Sequence, residues 1–260
     1  MGEKKVLLLV CVAWMSAGVF AYTLLGPPTA ELEKTTEKND EGDVVSHFEN
    51  RHGYIFSFSK AAVETDGIGK IEDLEVTRHY YTWSVAFYED FNFSLLLGAA
   101  SGESDEGKID STQTNGFDGS TEFSWGFNLK NTFYQGDTVD WGAMVQMTWS
   151  STEDTVDVSG VGPVDVEFDD AYDIQVAVGP AVDMGGWKLY GGAYYYMLDA
   201  DLKLSEPAFG LPTSSDVEES DSLGGFVGAQ FEFKENLDLI VEYSMGKDSA
   251  NIGLSLGITF

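Results

Sequence analysis

The chain has 260 residues, which is enough for one or two soluble domains or for a single barrel. Asp and Glu number 44 against 14 Lys and Arg, so the formal net charge is −30. A surface this acidic repels phosphate, which excludes nucleic acid as a partner. Hydrophobic residues make up 43% of the chain, which excludes a disordered acidic polymer, and the single cysteine, Cys11, excludes an intrachain disulfide.

Residues 1–21 have the pattern of a secretory signal peptide. Lys4 and Lys5 supply the positive charge, an apolar run follows as far as Ala17, and small or modest residues precede a cleavage site before Tyr22. The apolar run is shorter than the ~20 residues that a membrane-spanning helix needs. The sequence therefore predicts that the protein is exported and that the mature chain begins at Tyr22.

Residues 22–52 form a polar stretch. Pro27 and Pro28 disfavour a regular element at its start, and charged residues dominate positions 31–43. This composition predicts a disordered linker. A segment that plugs or tethers a barrel is the alternative interpretation.

From residue 53 to residue 260, apolar and polar side chains alternate, which is the period of a β-strand. Nine segments show this clearly, and a weaker one covers 54–59, so we predict about ten strands, with eight to twelve allowed. Short connections, such as Glu89-Asp90, alternate with long ones near 62–75, 100–120, 150–170 and 199–221. This layout is typical of an up-and-down antiparallel meander.

The apolar faces of these strands carry almost no charge over the length that crosses hydrocarbon, and large aromatic residues such as Trp83, Trp141 and Trp187 lie near strand ends. The polar faces are rich in Gly, Ser, Asn and Gln. Together these features predict an all-β fold, a transmembrane up-and-down antiparallel β-barrel with its apolar side chains toward lipid. An exported soluble β-barrel or sandwich is the alternative.

Over residues 53–260 the pattern resembles bacterial outer-membrane β-barrel proteins of the OmpA-like or small-porin kind. The resemblance implies outer-membrane lipid as surroundings, the outer membrane of a Gram-negative-type bacterium as location, a periplasmic position for the linker 22–52 and external long loops. The last strand resembles the signal that the outer-membrane assembly machinery reads in this family. Its residues are Ile252, Leu254, Leu256, Ile258 and Phe260.

Seven charged residues are predicted to face the lumen: Arg78, Glu122, Lys130, Lys188, Glu232, Asp238 and Glu242. We interpret them as a structural network of ion pairs, because charges in a narrow lumen must be paired or wet. A weakly cation-preferring pore is the alternative. Bulky residues predicted to point inward oppose a wide channel, so we expect slow passage of small solutes at most. These are Tyr80, Tyr88, Tyr134, Met144, Tyr190, Tyr194, Tyr196 and Phe226.

The predicted function is an integral barrel with a structural or limited pore role and long acidic external loops. None of the loops has the ligand spacing of a dedicated Ca²⁺ loop, although loose screening by divalent cations is compatible with their charge. We predict no cofactor and no enzymatic activity, since the Asp-x-His and His-x-Ser pairs of barrel enzymes are absent from the sequence. A surface adhesin or receptor that binds a partner through its loops is the alternative.

Overall fold

The computed structural model describes the barrel and part of the sequence before it. The described residues are 26–32, 34–38, 44–65, 69–104, 108–109, 112–113, 117–118, 121–158, 162–204, 214–218, 223–234, 236–247 and 249–260. The predicted signal peptide, residues 1–21, lies outside them. Among the described residues, no helix is long and apolar enough to cross a membrane.

Ten strands form the barrel, as the alternation predicted. They are β1 (Asn50–Thr65), β2 (Gly69–Tyr88), β3 (Phe91–Ser104), β4 (Glu122–Tyr134), β5 (Val139–Val158), β6 (Gly162–Asp183), β7 (Trp187–Leu204), β8 (Leu223–Lys234), β9 (Leu237–Met245) and β10 (Ser249–Thr259). Short additional strands are Lys34–Lys38 with Val44–Phe48, Lys108–Ile109 with Thr112–Gln113, Phe117–Asp118, and Ser214–Glu218.

Each barrel strand pairs antiparallel with its neighbours in the chain, and β1 pairs with β10 to close the sheet. The closing register places Tyr54 opposite Leu256 and Phe58 opposite Ile252. Along the closed part of the wall no strand is an edge strand, so backbone N–H and C=O groups find partners inside the sheet. The predicted up-and-down antiparallel β-barrel is therefore confirmed.

The two faces of the wall have opposite polarity. On β10, Leu254 is 43% exposed on the outside while Ser255 is 4% exposed on the inside. On β6, Val176 is 41% exposed while Gln175 is 1% exposed. A soluble barrel turns its apolar face inward, so the soluble alternative is wrong for this chain.

All short connections that follow β2, β4, β6 and β8 lie at one end of the barrel, which we call the turn end. Asn50 and Phe260 meet there through two backbone hydrogen bonds of 3.1 and 2.7 Å. The turn between β6 and β7 contains Gly185 and Gly186 with φ of 75° and 96°, a conformation that side chains with a Cβ rarely adopt. We call the opposite end of the barrel the loop end.

Two of the predicted long connections are largely strand instead. Residues 62–75 continue β1 and β2 as far as the pair Thr65–Gly69, and residues 150–170 continue β5 and β6 as far as the pair Val158–Gly162. Polar and acidic residues ended the apolar pattern there, but they do not end backbone pairing. The hairpins therefore extend beyond the apolar alternation of the sequence.

The predicted linker 22–52 also differs from expectation where it is described. Gly26–Leu32, which we call the lumen segment, lies inside the barrel at the turn end, and Gly26, Pro27, Pro28 and Thr29 are buried. The barrel wall begins at Asn50, before the predicted boundary at residue 53. Local composition predicted an exposed segment because composition contains no information about the polar cavity that a closed barrel provides.

Candidate functional site in the barrel lumen

The lumen segment is bound by side chains of the wall. The Asn92 Oδ1 atom on β3 accepts hydrogen bonds from the backbone N–H groups of Glu31 (2.6 Å) and Leu32 (3.0 Å). The Asn92 amide Nδ2 donates back to the Leu32 carbonyl over 3.1 Å. The Thr132 hydroxyl on β4 accepts from the Ala30 N–H at 2.9 Å. Four of the segment's backbone groups, which cost free energy when buried without partners, are satisfied in this way.

Glu31 places a carboxylate between two cations of the wall. Its Oε2 atom lies 3.7 Å from the Lys130 ammonium and 3.9 Å from the Arg51 guanidinium. Arg51 also donates from its Nε atom to Asp238 over 3.0 Å. Burial by itself raises the pKa of Glu31, but the charges of Lys130 and Arg51 outweigh it and hold that pKa below its ordinary value of 4.5. Glu31 therefore binds the wall as a carboxylate.

The deeper end of the segment meets β9 and β5. The Gly26 N–H donates to Oε2 of Glu242 at 2.8 Å, and the Tyr190 hydroxyl donates to the same oxygen at 3.1 Å. On β5, a Cβ atom added at Gly142 would lie 2.7 Å from the Thr29 Cα and would clash with the Pro28 carbonyl. Glycine at this inward position therefore leaves the space through which the segment passes.

A small cavity of about 40 Å³ lies beside Gly26, deeper in the barrel. Its lining includes Arg51, Thr82, Ser94 and Gln146, so it is polar on several sides. A cavity of this size and polarity has room for ordered water.

Farther from the turn end, the lumen is filled by the wall itself. Arg78 on β2 and Asp173 on β6 form an ion pair across the barrel, 3.4 Å from Nη2 to Oδ2, and their side chains are only 2% and 5% exposed. The Thr148 hydroxyl donates to the same Asp173 oxygen over 2.5 Å. This pair joins strands that are not neighbours in the sheet.

Between the charged cluster around Glu31 and the Arg78–Asp173 pair, polar side chains form hydrogen bonds from strand to strand. Ser84 contacts Ser94 at 2.7 Å, Asn128 donates to Gln146 at 3.1 Å, and Gln146 donates to Gln175 at 3.3 Å. The three amides occupy matching register positions on β4, β5 and β6. The contacts between these amides follow from the strand pairing, because residues paired in register point to the same side of the sheet.

Buried tyrosine rings fill a further part of the lumen. The rings of Tyr190 and Tyr194 on β7 lie over Gly228 and Gly224 on β8, where an added Cβ would meet the rings. Tyr80 contacts Ser124 through its hydroxyl at 2.6 Å. Tyr196, Phe226 and Met144 are also buried inside. Large residues on one strand thus pack against glycines on the next.

Two of the predicted inward residues, Tyr88 and Tyr134, face outward instead and are 66% and 57% exposed. The register of β2 against β3 shifts between Ala86 and Tyr88, and that of β5 against β4 shifts at Trp141, opposite Tyr134. A β-bulge of this kind reverses the alternation for the residues beyond it. Strict alternation therefore assigned both tyrosines to the wrong face.

Of the seven predicted lumen charges, four are buried and three are more exposed. Lys130, Asp238 and Glu242 lie around the lumen segment, and Arg78 lies deeper, paired with Asp173. Lys188 and Glu232 pair with each other at 3.8 Å but are 30% and 49% exposed, near the turn end. Glu122 is half-buried at the loop-end start of β4.

Three charged residues of the site were not among those predicted: Glu31, Arg51 and Asp173. Asp173 lies on the polar face of a clearly alternating strand, so the alternation alone indicates that its side chain points into the lumen. Arg51 and Glu31 precede the predicted start of the barrel, where no periodicity indicated a side.

The five residues of the predicted assembly signal all point away from the lumen, and all are exposed. The ring of Phe260 meets His52 edge to face, with ring centroids 5.6 Å apart. Recognition by an assembly machinery stays a prediction.

Among the described residues, no three His, Cys, Asp or Glu side chains form a group that could hold a metal ion. The acidic side chains at 153–157, 165–170 and 199–201 lie outside the side chains that the structure describes. Binding of divalent cations at the acidic loops therefore stays a prediction.

A closed antiparallel barrel with an apolar outside and a polar inside defines an integral β-barrel protein of the bacterial outer membrane. The family model described as "Outer membrane protein beta-barrel domain" matches residues 83–257, which is more than half of the chain. The chain therefore belongs to the family of outer-membrane β-barrel proteins.

Solved outer-membrane barrels align with most of this chain at low sequence identity. The translocator domain of the autotransporter NalP from Neisseria meningitidis is 14% identical, with a TM-score of 0.46 over 82% of this chain and 88% of that one. The outer membrane protease OmpT from Escherichia coli is 11% identical, with a TM-score of 0.43 over 82% and 96%. An outer membrane channel from Pseudomonas putida F1 is 13% identical, with a TM-score of 0.42 over 82% and 95%. No curated protein matches the sequence.

Proposed function

We propose that this protein is a structural outer-membrane barrel whose resting lumen is closed and which passes small solutes slowly at most. The observation that carries the proposal is that the lumen is filled in two places, by the lumen segment and by side chains of the wall. The lumen segment occupies the turn end, and the Arg78–Asp173 pair lies beyond it with the buried tyrosines. A ten-stranded barrel is only slightly wider than an eight-stranded one, whose interior just holds its side chains, so the segment and the wall side chains together oppose an open pore.

The proposal is tested by single-channel recording of the purified full chain in planar bilayers. We expect conductance far below that of a large general porin recorded in the same salt, and little swelling of liposomes in small sugars. Conductance in the porin range at neutral pH would contradict the closed resting lumen.

A second candidate, a surface adhesin or receptor, is favoured by the hairpin of β5 and β6. Its backbone register places Glu153 opposite Glu167, and β6 against β7 places Asp169 opposite Asp201. Like charges in opposed positions lower stability, so these residues support a surface role more than a folding role. Cells that display the protein with these four positions changed to amides would lose adhesion to immobilised glycans or host matrix, if this candidate is correct.

Export and assembly form part of the same proposal. Removal of residues 1–21 before Tyr22 is tested by N-terminal sequencing of the protein from outer-membrane fractions. Use of the C-terminal signal is tested by Phe260→Ala, which should reduce the folded, heat-modifiable form in that fraction. Phe233→Ala, on the outer face of β8 at the same end, is the matched control.

A further inference from the structure

The lumen segment is held differently from every strand of the wall. Within the described part of the chain, no β-ladder includes Gly26–Leu32, whereas β1 and β10 share eleven paired positions. The segment is bound by wall side chains, namely Asn92, Thr132, Glu242, Arg51 and Lys130. A segment without ladder bonds opens at a lower free-energy cost than the strands that surround it.

These contacts have the chemistry of a peptide-binding site. Asn92 presents an acceptor and a donor to the backbone, as the edge of a strand would, so this part of the contact does not depend on the peptide's side chains. Gly142 provides a close backbone approach at Pro28 and Thr29. Only Glu31 adds charge recognition, through Lys130 and Arg51.

We propose that the turn-end half of the lumen is a peptide-binding site that the chain's own residues 26–32 occupy reversibly, with Glu31 as the anchor. Its ligand class is an extended peptide with a carboxylate in the position of Glu31. The proposal deepens the closed-lumen function and rests on it, because the same segment closes the lumen from the turn end. Release of the segment connects the turn end to the cavity beside Gly26.

The first test measures how often the segment leaves its site. Thr29 is 5% exposed, so Thr29→Cys in a Cys11→Ala background provides a thiol that is shielded while the segment is bound. Adding Glu31→Gln removes the anchor and should speed labelling by a maleimide about tenfold, the change that loss of one charge-assisted contact predicts. Glu89→Gln, an exposed carboxylate in the turn between β2 and β3, is the matched control and should leave the rate unchanged.

The second test disturbs the packing of the segment against the wall instead of removing the charge of Glu31. Gly142→Ala places a methyl group against Pro28 and Thr29 and should also speed labelling of Thr29→Cys. Gly225→Ala is the matched control, because the nearest atom to its added Cβ, the Gly192 carbonyl, is 3.5 Å away. Heat-modifiable gel migration establishes that each variant is folded. Folded Glu31→Gln and Gly142→Ala proteins that both label at the parent rate would overturn the proposal.

The third test adds the ligand in solution. A synthetic peptide with the sequence of residues 26–32 and blocked termini, in millimolar excess, should displace the resident segment and speed labelling of Thr29→Cys. The same peptide with Gln in place of Glu should act more weakly. If the peptide has no effect, the segment is a fixed part of the fold and the exchange is excluded. High resting conductance would count against the closed lumen alone, since labelling reports on the segment and conductance on closure.

Discussion

The two halves of the lumen bury charge by different means. At the turn end, Glu31 comes from a segment outside the sheet and pairs with Arg51 and Lys130 of the wall. Farther toward the loop end, Arg78 and Asp173 both belong to wall strands. A wall residue leaves its partner only when the barrel unfolds, whereas the segment can leave a folded barrel. A buried ion pair therefore stabilises the whole fold in the loop-end half, whereas in the turn-end half it resists local opening of the segment.

The largest effect should follow from Arg78→Ala, which leaves Asp173 as a buried carboxylate without its cation. Breaking a buried ion pair from one side costs about 3–5 kcal/mol of unfolding free energy. Urea unfolding in lipid vesicles, followed by tryptophan fluorescence, measures the loss. The double variant Arg78→Ala/Asp173→Ala should recover part of it. Equal stability of the single variant and the parent would remove the contrast between the halves.

A smaller and local effect is expected for Asn92→Ala, which removes three hydrogen bonds to Glu31 and Leu32. Because water can solvate the released segment, global stability should fall by about 1 kcal/mol or less. Labelling of Thr29→Cys should nevertheless rise about tenfold. Asn131→Ala, on the outer side of β4, is the control. An unfolding loss as large as that of Arg78→Ala would show that the segment is part of the global fold.

Acid should release the segment. Because the pKa of Glu31 is held below 4.5, its carboxylate stabilises the bound segment fully above pH 4.5 and ceases to do so as the pH falls through the lower value. The rate at which 4,4′-dithiodipyridine, a reagent that reacts with thiols in acid, labels Thr29→Cys should therefore rise below pH 4.5. In the Glu31→Gln variant this rise should be absent, which separates Glu31 from the other titratable groups around it. Those groups are Arg51, Lys130, Lys188, Asp238 and Glu242.

The smallest effect is expected for Lys188→Ala. Its pairing with Glu232 spans 3.8 Å, and both side chains are substantially exposed. Exposed ion pairs contribute about 0–1 kcal/mol because water screens them. Urea unfolding should place this variant within that range of the parent. A loss of several kcal/mol would mean that this pair belongs with the buried lumen network after all.

Several features of the barrel could be predicted from the residues because they are local. The β period of two assigns each side chain to one face, so residues 53–260 predicted the strands, their number and the outward side of Ile252 or Val176. The inward positions of Arg78, Lys130, Asp238 and Glu242 follow from the same rule. The prediction failed for Tyr88 and Tyr134, because a bulge depends on how two strands pair and leaves no mark in one strand's pattern.

Contacts between distant residues were decided by closure of the sheet. Glu31 and Lys130 are separated by almost a hundred positions, and Arg78 and Asp173 by 95. No periodic pattern connects such residues, since their distance depends on the strand order and on the space left inside the barrel. Alternation is a property of one strand and can be read from its residues, whereas the occupant of the lumen is set by the volume and charge that ten strands enclose together.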